Sequence, residues 1–283
     1  MAERRRLLIA PQRLAAVETG DPTVPLERSE QHYLRRVLRC RVGDTIDVVD
    51  GCGSLWQAQL ISADALQLSV PADQIEPARV PRLGLGLALI RRGFEDALRM
   101  ACELGVDEIQ PLRADRSTPQ AEHRPERWAT ILQEAVEQCE RLWLPTLKPA
   151  CKLAQWPNSS DPVAVGVPRR ADTPALRDWL NQTTNCNGMV WLLVGPEGGW
   201  SDAEDQLFTT RGWQPVQLLS WMTYDNDEAD SLMPALMHNM GQLEYQAEWG
   251  RCWVDMGTSD GVGIDVLINA LRQLDTDVVQ IEE

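Results

Sequence analysis

No stretch of this 283-residue chain reaches 18 consecutive apolar residues, so a transmembrane helix is excluded. Its three histidines, His32, His123 and His238, are scattered, and its seven cysteines include no C-x-x-C pair. Neither set has metal-ligand spacing, and an odd cysteine count suggests buried reduced thiols rather than a disulfide framework. No leader is expected either: Arg4, Arg5 and Arg6 precede only four apolar residues, Leu7 to Ala10, too few for a signal-peptide core. The expectation is a cytoplasmic protein with no metal and no membrane contact. The N-x-S/T matches at Asn158 and Asn181 are then accidental. What remains is ordinary globular composition, 43% hydrophobic and 24% charged, at a length that suits one or two cores.

The net charge of −15 argues against nucleic acid only as an average. Residues 221–283 hold 13 of the 42 acidic residues and 2 of the 27 basic ones, which leaves the first 220 residues near balance. Residues 1–42 carry nine arginines against five acids. The acidity belongs to the tail and the basic surface to the front.

From Leu7 to about Ala78 short strands alternate with turn signals, Val42-Gly43-Asp44 and Asp50-Gly51-Cys52-Gly53 among them. Asp-Gly between strand-like runs is a hairpin signal because glycine accepts positive φ, and the pattern suggests a small β-barrel. A helix over Ser29–Leu38, with Ser29 as N-cap, interrupts it. After the proline-rich stretch 71–81 the pattern changes to alternating strands and helices. Strands are expected at Leu83–Ile90, Glu108–Leu112, Val163–Val167, Met189–Val194 and Gln214–Leu219. Helices are expected at Phe94–Leu104, Glu126–Leu144, Thr173–Asn181 and from Ser201 to about Arg211, the last opened by a Ser201/Glu204 capping box. Such alternation implies an α/β fold, a mostly parallel sheet with helices on both faces. Gly84-x-Gly86 lies inside a strand and is no dinucleotide fingerprint. Glu137 and Arg141 are spaced as an i,i+4 pair.

The sharpest local feature is Gly195-Pro196-Glu197-Gly198-Gly199, between a buried strand and the capped helix. Ligands of open α/β sheets bind at the carboxyl ends of strands, and glycines let backbone approach them. Backbone N–H groups at the helix start could meet polar ligand atoms. A tight strand-to-helix turn without a ligand explains the same residues equally well. His32, Arg35, Arg36, Arg39 and Arg41 fall within ten residues, and on a regular helix 32, 35, 36 and 39 would share a face. That suits phosphate contacts or, blandly, a solvated face.

These segments together resemble one family. The GPEGG run followed by Trp200-Ser201-Asp202-Ala203-Glu204 is similar to the cofactor loop of bacterial ribosomal-RNA uridine N3-methyltransferases, the RsmE-type branch of the SPOUT (α/β-knot) class. In order before it stand His32, Val37-Leu38-Arg39, Gly43-Asp44 and Asp50-Gly51-x-Gly53, which resemble the family's PUA-like barrel. Glu103-Leu104-Gly105-Val106, Ile109-x-Pro111, Arg116, Arg127-Trp128, Glu134-Ala135, Glu137-Gln138-Cys139-x-Arg141 and Pro145 continue the match. The resemblance implies a SPOUT-like trefoil-knot sheet over residues 79–220 behind a PUA-like RNA-binding barrel over 1–78. It implies S-adenosyl-L-methionine as cofactor, 16S rRNA of the small ribosomal subunit as partner and substrate, N3 of one uridine as target, and a homodimer. Carried over by position, Leu193, Gly195, Pro196, Glu197, Gly198, Gly199 and Leu218 would bind the cofactor. His32, Arg35, Arg36, Arg39 and Arg116 would bind RNA, and no catalytic base is assigned.

The resemblance stops near residue 219. The family continues with Gly-x-x-Ile-Leu-Arg and Glu-Thr-Ala, whereas this chain reads Leu218-Leu219-Ser220-Trp221-Met222-Thr223. Met100 stands where the family usually has Lys. Residues 221–283 are therefore a divergent acidic tail, arising by fusion, reading-frame change or divergence. Two functional readings follow: an active methyltransferase, or an inactive relative that keeps RNA binding or dimerisation and uses the tail to bind a partner.

Overall fold

The computed structural model describes residues 5–14, 22–118, 123–157, 159–167, 173–183 and 188–218, and the backbone of a short hairpin, 244–246 with 249–251. The remainder of residues 221–283 lies outside the described residues. Two compact units are present. One contains the residues up to Leu83 with Leu98–Ile109 and Arg124–Leu147; the other contains Gly84–Ala97, Gln110–His123 and the described residues from Lys148 onward.

The first unit begins with β1 (Arg6–Leu8), α1 (Pro11–Leu14), β2 (Thr23–Pro25) and α2 (Arg28–His32). It continues through β3 (Thr45–Val49), β4 (Ser54–Leu60), β5 (Ala65–Leu68) and β6 (Gln74–Ile75). The strands form one sheet, β1-β3-β4-β5-β2, with β6 on β4; only the β1–β3 pair is parallel. Apolar side chains of period two, among them Ile46, Val48, Trp56, Ala58, Leu60, Leu66 and Leu68, fill its core with Leu7, Ile9 and Leu34. The β3–β4 turn is built as its residues suggest. Asp50 Oδ1 accepts from the N–H groups of Cys52 (2.7 Å) and Ser54 (2.9 Å), and Gly51 takes φ +71°.

Two helix ends differ from expectation. Glu27, not Ser29, caps α2: Glu27 N donates to Glu30 Oε2 at 2.7 Å, and Glu30 also grips Arg13 through two hydrogen bonds. The chain then makes a single π turn, Tyr33–Val37, and Arg39 adopts φ +54°. The regular spacing that would align His32, Arg35, Arg36 and Arg39 on one face is broken there. The unit's long helix, Pro125–Gln138, stops six residues short of Leu144, with Glu140 at φ +60°. Leu142 and Trp143 keep the apolar period but leave the helix. Leu142 O accepts from Gly53 N (3.0 Å) and Trp143 Nε1 donates to Glu76 O (3.2 Å).

From residue 82 the elements are β7 (Arg82–Ala88), α3 (Phe94–Glu103), β8 (Glu108–Arg113), α4 (Pro125–Gln138), β9 (Thr146–Leu147) and β10 (Cys151–Lys152). β11 (Val163–Gly166), α5 (Leu176–Thr183), β12 (Met189–Val194), α6 (Asp202–Arg211) and β13 (Gln214–Val216) complete the series. The sheet runs β10-β8-β7-β12-β11-β13, with β9 beside the start of β8, and its β10–β8, β8–β9, β11–β12 and β11–β13 pairs are all parallel. The glycines of β7 serve packing: a Cβ on Gly84 would meet Trp191 at 2.4 Å, and one on Gly86 would meet Leu193 at 3.0 Å. Trp156, Trp191, Trp200, Phe208 and Trp213 form a chain of edge-on and stacked rings within the second unit.

Glu137 and Arg141 have separate partners in the first unit. Glu137 Oε1 accepts from Leu8 N at 2.9 Å. Arg141 donates to the carbonyls of Cys102 (2.8 Å) and Val106 (2.9 Å), closing the end of α3.

Candidate cofactor site

The site grows from three adjacent strand ends in the second unit. β11 lies between β12 and β13, with Val165 opposite Leu193 and Gly166 opposite Val216. Parallel strands present their carboxyl ends together, so Leu193–Gly195, Gly166–Val167 and Val216–Leu218 emerge at one edge. Leu193 and Leu218 are both buried there. Gly166 sits so tightly between them that a Cβ would meet Leu218 Cδ1 at 2.7 Å and Leu193 O at 3.2 Å.

Gly195–Gly199 leaves β12 at this edge. Gly199 N donates to Pro196 O at 2.8 Å, and Gly199 takes φ +69°, where a residue with a side chain is strained. A Cβ on Gly195 would lie 2.9 Å from Trp200 Cε2, so the loop rests directly on that indole. Trp200 is itself fixed: it is buried, donates from Nε1 to Gly166 O at 2.9 Å and packs edge-on against Phe208. Pro196 is buried, whereas Glu197 and Gly198 are exposed.

The expected capping box opens α6, and it does more than cap. Ser201 Oγ accepts from Glu204 N (3.2 Å), and Glu204 Oε2 accepts from Ser201 N (2.8 Å). Glu204 Oε1 accepts from Asp115 N (3.0 Å), and Ser201 Oγ donates to Asp115 Oδ2 (2.6 Å). Next to Asp115, Arg116 donates from Nη1 to Gly198 O at 3.2 Å. A three-point latch thus ties the glycine loop and the start of α6 to the turn after β8. The first turn of α6 is acidic, with Asp202, Glu204 and Asp205.

The structure brings together Leu193, Gly195–Gly199, Leu218 and Arg116, all in one unit. His32, Arg35, Arg36 and Arg39 lie in the other, all exposed, beside exposed Val37 (60%) and Val42 (64%). Residues that spacing did not single out are Gly166, Trp200 and Asp115. Trp200 directly follows the glycine loop, and Gly166 ends a strand, so both carried a faint signal; Asp115 carried none. One further chemical cluster lies in the first unit. Cys139, hydrogen-bonded by the Cys102 thiol and near Arg141, is pulled down to about 6, while Cys102 is pushed up. Among the described residues no group of His, Cys, Asp or Glu could hold a metal ion, and no helix is long and apolar enough to cross a membrane.

Residues 77–220 match a family profile described as an RNA methyltransferase domain, and residues 26–70 one described as an RNA methyltransferase PUA domain. A ribosomal RNA small subunit methyltransferase E from Synechocystis is 35% identical over 220 residues, 75% of this chain and 70% of that one. The chain belongs to this methyltransferase family. Among solved structures, the family's enzyme from Neisseria gonorrhoeae, bound to S-adenosyl methionine, matches with TM-score 0.61 and 24% identity. That match covers 76% of this chain and 89% of the other. A Legionella pneumophila structure in complex with its cofactor SAM matches with TM-score 0.67 and 19% identity over 97% and 98% of the two chains. The fold is accordingly that of the SPOUT methyltransferases with a PUA-like domain in front. The segment expected to pass through the knot follows Leu218, outside the described residues. A third profile, described only as a protein of unknown function, matches residues 180–283. It begins before the composition shift at Trp221 and runs through it.

Proposed function

We propose that this chain is an S-adenosyl-L-methionine-dependent methyltransferase that methylates N3 of one uridine in 16S rRNA, working as a homodimer in the cytoplasm. The observation that carries the reading is the glycine loop at the carboxyl edge of the parallel sheet, seated on Trp200 and latched through Asp115 and Glu204. Leu193 and Leu218 supply apolar walls for an adenosine, and Gly195–Gly199 supply backbone close enough to meet it. The cofactor brings a methyl group already activated on a sulfonium, so the protein chiefly binds and aligns. The acidic first turn of α6 suits that positive charge better than it would suit a phosphate. Arg116 touches the loop through Gly198 O, which puts a guanidinium at the site. Beside a uridine it would favour loss of the N3 proton by opposite charge. The target base would have to leave its stack to expose N3.

Residues 1–78 serve as the RNA-holding part through His32, Arg35, Arg36 and Arg39, and 79–220 as the transfer part. A second reading, an inactive relative that keeps RNA binding, is favoured by one observation: Ile-Leu-Arg and Glu-Thr-Ala are absent after Leu218. Calorimetric titration of S-adenosylmethionine into the full chain decides between them, followed by methylation of small ribosomal subunits and nucleoside analysis for 3-methyluridine. Cofactor binding with 3-methyluridine formed supports the first reading. A folded protein that binds rRNA but gives no heat with the cofactor supports the second.

A further inference from the structure

Two arginines at the same sheet edge have no place in the reading so far. β7 and β12 run the same way, since Gly84 abuts Trp191 and Gly86 abuts Leu193 two residues further along both strands. Leu89 N donates to Leu112 O at 2.8 Å, which aligns the end of β7 with the end of β8. Arg91 and Arg92, just past β7, therefore leave the sheet level with the Gly195–Gly199 loop and with Arg113–Arg116.

Like the exposed arginines of the front domain, they are not tied into the protein. Arg5, Arg13, Arg141 and Arg211 each donate to a carboxylate or to carbonyls. Arg91 and Arg92 are exposed and make no hydrogen bond or ion pair with any described residue. Arg113, exposed at the end of β8, likewise has no hydrogen-bond partner among the described residues. The carboxylate in the β8 turn, Asp115, accepts from Ser201 Oγ. Holding guanidinium groups unpaired and side by side yields little stability, whereas two such forks at a strand end match the oxygens of successive phosphates.

We infer that Arg91 and Arg92, supported by Arg113, form a phosphate-binding site for the RNA strand on the methyltransferase unit itself, separate from the basic segment of the front domain. This rests on the RNA methyltransferase reading above. A strand whose base is extruded must be held near the methyl donor while stacking is lost, and phosphate contacts fix position without reading sequence.

The test is fluorescence-anisotropy binding of a uridine-rich oligoribonucleotide to the full chain across a salt series. The slope of log affinity against log salt counts released counterions, roughly 0.7 per phosphate contacted on a single strand. Arg91→Ala/Arg92→Ala is expected to reduce the slope by roughly 1.4, with thermal stability and cofactor affinity unchanged. Arg91→Lys/Arg92→Lys keeps the slope because it keeps the charge. A double-alanine slope equal to wild type overturns the inference, as does a loss per charge no larger than that of Arg82→Ala at the opposite end of β7. If the wild-type chain binds no RNA at all, the underlying reading fails instead. A wild type that binds RNA beside an unaffected double variant sinks only the site proposed here.

Discussion

Gly195→Ala adds one methyl group to the glycine loop, and the structure says what that methyl meets. Gly195 is not at positive φ, so alanine is acceptable to the backbone and the effect is steric. The new Cβ would lie 2.9 Å from Trp200 Cε2, 3.1 Å from Nε1 and 3.2 Å from Cζ2. The indole cannot simply yield, because it is 5% exposed, packs against Phe208 at 5.2 Å and is bonded to Gly166 O. Overpacking of this kind costs about 1–3 kcal/mol. If the ring does move, the loss of its hydrogen bond to Gly166 O costs about the same. Either way the midpoint of thermal unfolding falls by roughly 4–8 °C for a cost near 2 kcal/mol. Strain carried into the loop weakens cofactor binding roughly tenfold for each 1.4 kcal/mol. Trp200→Phe removes the part of the ring that clashes, so the two substitutions together should cost less than their sum. Calorimetry of the wild type, both singles and the double measures this. Additive costs, or a Gly195→Ala protein as stable and as tightly binding as wild type, would show that Trp200 does not pin the loop. Gly199→Ala is the internal contrast: nothing lies within 4 Å of its Cβ, so its cost of about 1–2 kcal/mol comes from φ +69° alone.

Three other substitutions and labels check the surrounding structure. Burial raises the Glu137 carboxyl above its usual range, and the N–H of Leu8 partly offsets this. A raised folded-state value contributes stability below the unfolded value of 4.5 that is lost as pH rises through the folded one. Glu137→Gln should therefore be at least as stable as wild type at neutral pH in urea titrations, while Glu137→Ala loses about 1–3 kcal/mol by orphaning Leu8 N. Cys139, held near 6 by the Cys102 thiol and by Arg141, should be alkylated by iodoacetamide at pH 7 before Cys40 or Cys102. Its labelling rate should rise with a midpoint near 6, and Cys102→Ala should slow labelling at neutral pH, as read by peptide mass mapping. Ser201→Ala removes both the cap of α6 and a donor to Asp115, and should lower stability by about 1–2 kcal/mol in chemical denaturation.

The parts of the fold that were legible in the sequence are those decided by neighbours in sequence. β12 occupies the expected Met189–Val194 because a continuous apolar run bounded by glycine leaves little choice. The Ser201/Glu204 box opens α6 where its residues said it would. The misses lie where a distant partner wins. α4 ends early because Leu142 and Trp143 bond to the Gly53 turn and to Glu76, and α2 begins early because Glu30 answers both Glu27 and Arg13. In the site, the glycines announce themselves by composition. Asp115 does not: the hydrogen bond that gives it a role reaches Ser201, 86 residues away. No local pattern marks such a pairing.

A glycine-rich turn before a helix usually reads as an anion site, because unpaired N–H groups and the helix dipole both attract negative charge. In this protein the pull at the start of α6 is largely met from within. The N–H of Ser201 and that of Asp115 go to the two oxygens of Glu204, and the N–H of Glu204 goes to Ser201 Oγ. Three carboxylates, of Asp202, Glu204 and Asp205, already face the dipole in the first turn. The glycines also have a steric role, seating the loop on Trp200 and keeping Leu193, Gly166 and Leu218 in contact. A site shaped by glycines, with carboxylates already at the start of α6 and Arg116 on the outer side of the loop at Gly198 O, leaves that helix start better suited to a cationic group on an apolar-faced base than to a phosphate. A sulfonium carried on adenosine has both properties, so the electrostatics of α6 and the apolar strand ends argue for the same ligand from independent observations.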